Sequence, residues 1–128
     1  MNRSIVLCFL TVVLLSIPCL VFAIEVEDIG IGRSVEDRAL LDSGTEFSIS
    51  DGTLYCFTRI LNGSGTTIRH IWHRDDEVIS EVSLTVGSDN WRTWSSKLLA
   101  PGMEGDWNVK VVDSEGDVME SVKFTLNP

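Results

Sequence analysis

The feature that most restricts this chain is a two-residue alternation that recurs from Ile24 onward, with no helical period held for three turns to compete with it. Strand side chains point to opposite faces in turn, so alternation of this kind reads as half-buried β-structure. In "DGTLYCFTRIL", Leu54, Cys56, Thr58 and Ile60 share one face, while Tyr55, Phe57, Arg59 and Leu61 share the other. "VISEVSLTV" sets Val78, Val82, Leu84 and Val86 against Ile79, Glu81, Ser83 and Thr85. "WNVKVVD" turns Trp107, Val109 and Val111 inward, and "VMESVKFTL" does the same for Val118, Val122, Phe124 and Leu126. Turn chemistry separates these runs: "NGSG" from Asn62, "DDE" from Asp75, "GSDN" from Gly87 and "SEGD" from Ser114. Ile24–Ile31 reads as a further strand. Ser34–Ser50 has the weakest pattern: "FSIS" fits a short edge strand, and "SVEDRALLDSG" fits one turn of helix capped by Ser34, with Asp37 three residues on.

Short strands at hairpin spacing predict an all-β fold, an antiparallel β-sandwich or small barrel. One detail selects an immunoglobulin-like sandwich of about seven to eight strands. Cys56 lies on an early strand, Trp72 on the next, and Trp107 two residues before Val109. In immunoglobulin domains a Cys and a Trp on successive strands form the core centre, and an aromatic marks the corner two residues before the second Cys. Here Val109 takes the second Cys position, which makes Cys56 a small buried hydrophobe and not a reactive thiol.

The amino-terminal residues predict export. Arg3 supplies a positive charge, Ser4–Ala23 carry none, and "VFA" ends the run with small residues suited to cleavage after Ala23. Residues 1–23 therefore read as a signal peptide, and 24–128 as a single immunoglobulin-like domain. An uncleaved leader is the alternative, and the only route to a membrane that the sequence offers. The net charge is −9, and removing the leader with its one Arg makes it −10. Phosphate backbones would repel such a domain, so nucleic acid is excluded as a partner.

In "NWRTWSSK" two tryptophans stand three residues apart, so on a strand they face opposite sides. This strand is expected to pair beside Leu54–Leu61. With Trp94 and Leu98 inward, Trp91, Thr93, Ser95 and Lys97 face out; with the phase reversed, Arg92, Trp94 and Ser96 do. In either phase an aromatic–cationic outer face forms, drawn from Tyr55, Arg59, Trp91, Arg92, Trp94 and Lys97. Exposed aromatic surface marks interaction sites, and Trp, Tyr and Arg dominate binding hot spots. The alternative is that residues 24–50 lie across this face and bury it.

Other chemistry finds little support. His70 and His73 stand at odd spacing, which separates them on a strand, so no metal site is expected. His70 reads as a hydrogen-bonded core residue, and Asp75 and Asp76 as turn formers. No cofactor-binding loop is present in the sequence, and Ser95 or Ser96 lacks any nucleophile signature.

The strings "LYCFTRI", "IRHIWHRDDEV", "VGSDNWRTWSSK" and "GDWNVKVVDSEGDVMESVKFTL" resemble a bacterial family, domain of unknown function 2914, from about Glu36 to the end. The resemblance implies an extracytoplasmic domain, alone behind a signal peptide or attached to membrane segments, with no assigned activity. Its motif residues carried onto this chain are Tyr55, Arg59, His70, Trp72, Arg92, Trp94 and Lys97. The expectation is a periplasmic or secreted, non-catalytic module that binds an envelope protein or glycan through the aromatic–cationic face. Carbohydrate binding is the first alternative, and a hydrolase using Ser95 or Ser96 with a histidine the second.

Overall fold

The computed structural model describes residues 11–14, 16 and 22–128, so the leader expected over residues 1–23 falls largely outside the described residues. No helix among the described residues is long and apolar enough to cross a membrane. Among the described residues ten strands run in chain order: β1 Glu25–Gly32, β2 Ser34–Glu36, β3 Ala39–Leu41, β4 Glu46–Ser48, β5 Thr53–Leu61, β6 Thr67–Arg74, β7 Glu77–Thr85, β8 Asn90–Leu98, β9 Gly105–Val112 and β10 Val118–Asn127. One sheet has the order β1-β5-β8 and the other β4-β10-β9-β6-β7, while β2 and β3 form a separate hairpin. The chain crosses between the two larger sheets after β4, β5, β7 and β8. β5, β6, β8, β9 and β10 thus take the places of strands B, C, E, F and G of an immunoglobulin-like sandwich.

The strand count exceeds the expected seven to eight because the weakly patterned segment 34–50 forms three short strands. "SVEDRALL" is a hairpin and not a helical turn. Asp37 and Arg38 have φ of +49° and +60°, and two central residues with positive φ make the tight turn whose twist matches a β-hairpin. What favours the hairpin is a seat for Leu40. A methyl placed on Gly30 or Gly32 of β1 would come within 2.9 Å of the Leu40 side chain. "FSIS" does supply an edge strand, as expected, and β4 runs parallel to β10.

Cys56, Trp72 and Val109 are fully buried in the larger apolar cluster, with Ile31, Leu54 and Leu126. Phe124 is its hub: Trp107 stacks on it at 5.9 Å, and Trp72 and Phe47 meet it edge-on. Each large apolar side chain fully buried this way contributes about 1.5–3 kcal/mol. Trp107 also donates its indole N–H to the Met103 carbonyl at 2.8 Å, anchoring the start of β9 as the corner tyrosine does in immunoglobulin domains. A second cluster, Ile60, Ile68, Val86 and Val111, fills the other end.

Bulges alter the expected phase in two strands. The β6–β7 register slips between Trp72 and His73, leaving Ile79 as the extra residue. Ile79 then packs on the core and Val78 is exposed. The β9–β10 register slips between Val118 and Glu120, so Met119 turns inward and Val118 outward. One inserted residue sends the neighbouring side chains to the opposite face.

Candidate ligand-binding face

β8 pairs with β5 in unbroken register, with Trp94 opposite Phe57 and Arg92 opposite Arg59. Trp94 lies on the outer face, stacked on Phe57 with ring centroids 6.2 Å apart and planes 12° from parallel. It is 37% exposed. Of the two phases open to "NWRTWSSK", the structure has the one with Arg92, Trp94 and Ser96 outward. Trp91 and Lys97 therefore do not belong to the face. Trp91 packs against the second core cluster, where the bare Cα of Gly87 lets it close in: a methyl there would sit 2.8 Å from the indole. Lys97 pairs across from buried Leu54 at the end of the sandwich, on the inward side. Tyr55 is half-buried on the outer face, between Gly32 and Ser96. The face thus keeps Tyr55, Arg59, Arg92 and Trp94 of the six expected residues.

Part of this surface is covered by the chain's own leading segment. Phe57 points outward, yet it is only 5% exposed, because the β2–β3 hairpin lies beside it. The hairpin stops short of sealing the face. Between it and the sheet remains a cleft of about 370 Å³, lined among others by Asp28, Arg38, Leu40, Phe57, Arg59 and Arg92. Arg59 donates from Nε to Asn90 Oδ1 at 2.8 Å, which leaves its terminal nitrogens for other partners. The ion pairs among the described residues are Arg33–Asp51 and Arg69–Glu81, so none of the three cleft arginines has a carboxylate partner. Arg38 was not among the expected site residues. Its sequence surroundings resemble a helix start, and only the hairpin brings it to the sheet.

The inner side of the same strands holds Thr58 and Ser95, facing His70 of β6 in the other sheet; these three are the buried polar residues among the described residues. Their hydrogen bonds have a single consistent direction. Thr58 gives its hydroxyl proton to the Thr93 carbonyl at 3.0 Å, so the 3.1 Å contact from His70 Nε2 must be a donation to Thr58. Nδ1 of the neutral ring then accepts from Ser95 Oγ at 2.7 Å, and Ser95 Oγ accepts from Trp72 Nε1 at 3.1 Å. Burial lowers the His70 pKa from 6.5 to about 4, which keeps the ring neutral near pH 7. Ser95 and His70 have the spacing of a nucleophile and its base. However, Ser95 is 5% exposed and His70 fully buried, and both His70 ring nitrogens are engaged within the core. The arrangement ties the two sheets together between the apolar clusters. Cys56, opposite Ser95 across the β5–β8 pair, is buried, and burial pushes its thiol pKa up to about 12.

His73 is apart from His70, and its Nδ1–H donates to the Ile71 carbonyl, 3.1 Å away. The acidic group that does form among the described residues, Asp113, Glu115 and Asp117, belongs to the β9–β10 turn. There the Asp113 carboxylate accepts the backbone N–H groups of Glu115 and Asp117, the ordinary work of a turn aspartate.

A family model described as "Protein of unknown function (DUF2914)" matches residues 65–126. That is narrower than the likeness expected from Glu36 onward. Strands β6 to β9 and all but the last residue of β10 lie within it, whereas "LYCFTRI" on β5 precedes it. No curated protein matches the chain. Among solved structures, the chain is similar to one titled as the crystal structure of endonuclease/exonuclease/phosphatase from Beutenbergia cavernae DSM 12333, at 22% identity and a TM-score of 0.36. That alignment covers 59% of this chain and 21% of the other, so this chain corresponds to a small part of that protein's length. Arg92 and Trp94 of the outer face, with His70 and Ser95 of the interior, all fall inside the matched family region. Over residues 65–126 the chain is thus similar to the DUF2914 family of proteins of unknown function.

Proposed function

We propose that this chain is a non-catalytic, exported binding module that recognises a negatively charged component of the cell envelope through the outer face of the β1-β5-β8 sheet. The observation that carries the reading is the set of three arginines, Arg38, Arg59 and Arg92, gathered in one cleft without carboxylate partners on a protein of net charge −9. Nineteen acidic residues are available for pairing, and the fold brings none of them within ion-pair distance of these guanidinium groups among the described residues. Arg59 and Arg92 also stand directly opposite each other, where like charges are unfavourable. Arginine suits anion recognition because its planar fork binds carboxylate or phosphate through two parallel hydrogen bonds. The uncharged stretch behind Arg3 supports export, which places the face against envelope material. Catalysis is disfavoured by the burial of the serine–histidine pair.

Sedimentation with isolated cell envelopes tests this. The wild-type protein should co-sediment and be released by salt, which screens such contacts. A variant with both Arg59→Gln and Arg92→Gln should stay in solution while keeping its fold, since charge-assisted hydrogen bonds contribute about 1.5–3 kcal/mol each. Equal retention of wild type and variant would remove the face from consideration.

A further inference from the structure

We infer that the cleft under the β2–β3 hairpin is a site for an acidic saccharide: a carboxylate or phosphate held by Arg38, Arg59 and Arg92, with its sugar ring laid on Trp94. This rests on the binding reading above and names the ligand's chemical class. At about 370 Å³ the cleft is at the small end of the range in which protein pockets enclose single small-molecule groups. Its charge selects an oxyanion, since three arginines line it against the one carboxylate of Asp28.

Arg38 is the most informative of the three. It occupies a turn position with φ +60°, a conformation for which glycine is the default residue. A non-glycine residue with a long cationic side chain is unfavourable there for the turn itself, and its effect is to bring a third guanidinium to the cleft. Strained backbone of this kind concentrates at ligand clamps. Arg59 is held by Asn90, so it is already oriented. Two residues along β8 from Arg92, on the same face, Trp94 is backed by Phe57 and still 37% exposed. Trp94 lines not the cleft itself but a neighbouring depression that shares Arg92 with it, so its ring, backed by Phe57, is a stacking platform beside the anion site. An acidic peptide fits less well. A peptide that adds as a strand would pair at the open edge of β8, in the plane of the sheet, whereas the cleft lies over the sheet's outer face.

The exported protein can be titrated with four probes of matched length: an oligoglucuronate, a phosphorylated glucan, a neutral glucan and an oligoglutamate. Calorimetry and Trp fluorescence are the readouts. Either acidic glycan should bind and shift the fluorescence, the tighter of the two identifying carboxylate or phosphate as the group taken, and the neutral glucan should do neither. Trp94→Ala should abolish the tight binding. Arg38→Gly should weaken binding by about tenfold while the melting temperature holds or rises, because the turn gains its preferred residue. Equal binding of the neutral glucan would overturn the oxyanion role, and oligoglutamate binding as tightly as the acidic glycans would overturn the sugar. Should the wild type sediment with envelopes yet bind no acidic glycan, this inference fails while the broader binding reading stands.

Discussion

Thr58 and Arg59 are neighbours in sequence, yet they belong to two polar clusters under opposite rules. On the inner face of β5 and β8, Thr58 and Ser95 form a relay with His70 and Trp72 of the facing β6, in which every hydroxyl and ring nitrogen has a partner. On the outer face Arg59 and Arg92 stand opposite each other, joined by Arg38, with no carboxylate paired to any of them among the described residues. The inner cluster is satisfied because an unpaired polar group away from water costs about 1–3 kcal/mol. The outer one, wet on one side, escapes that demand, so unpartnered charge can persist there at small cost to folding. The contrast separates polar residues that hold the sandwich together from those available to something outside it.

Four measurements break or sharpen that contrast. The largest effect is expected for His70→Ala, which opens a cavity and leaves the Ser95 proton without its acceptor. A loss of about 3–5 kcal/mol by urea unfolding is predicted, and a loss near zero would show that the relay holds nothing together. Next comes pH. The folded ring has its pKa lowered to about 4 against 6.5 for the ordinary group, so the unfolded chain takes up this proton first. The stabilisation from a neutral His70 is therefore complete above about pH 6.5 and is lost as pH falls toward 4, up to about 3 kcal/mol in all. His70→Gln should flatten this part of the stability profile relative to wild type; identical slopes would place the acid sensitivity elsewhere.

Gly32→Ala addresses the cleft's roof. Its methyl would lie 2.5 Å from the Leu41 carbonyl and 2.7 Å from the Leu40 side chain. The hairpin should lift, costing about 1–3 kcal/mol and raising amide exchange over β2, β3 and Phe57. Unchanged exchange would mean that the hairpin is not seated on these glycines. The smallest effect on stability belongs to the double Arg59→Gln, Arg92→Gln variant. It should unfold within about 1 kcal/mol of wild type, on the stable side if relief of like-charge repulsion prevails. A loss of several kcal/mol would make these arginines part of the scaffold after all.

The strands with the deepest cores are the ones that alternation displays. Leu54, Cys56 and Ile60 on β5, with Val109 and Val111 on β9, are inward as their period implies. Trp72 and Trp107 take the places expected from their spacing to Cys56 and Val109. Alternation misled at Val78 and Val118, where bulges reverse the phase. A bulge is decided by how two strands settle against each other, and one strand's pattern carries no trace of it. The two tryptophans of β8 were undecidable for a related reason. Both faces of that strand bear apolar and cationic residues, so its own pattern does not distinguish core from surface.

The amino-acid sequence alone determined that this is an all-β chain with an immunoglobulin-like arrangement, because the alternation of apolar residues and the turn chemistry between runs are local properties. It also implied an aromatic–cationic face on β5 and β8. Only the tertiary structure decided that Trp94 and not Trp91 lies on that face, and that Arg38 joins it. Both outcomes depend on room left by residues far along the chain. Gly87 lets Trp91 sink into the core, and Gly30 with Gly32 lets Leu40 anchor a hairpin over the sheet. Vacant space of this kind comes into being only when strands distant in sequence are brought together.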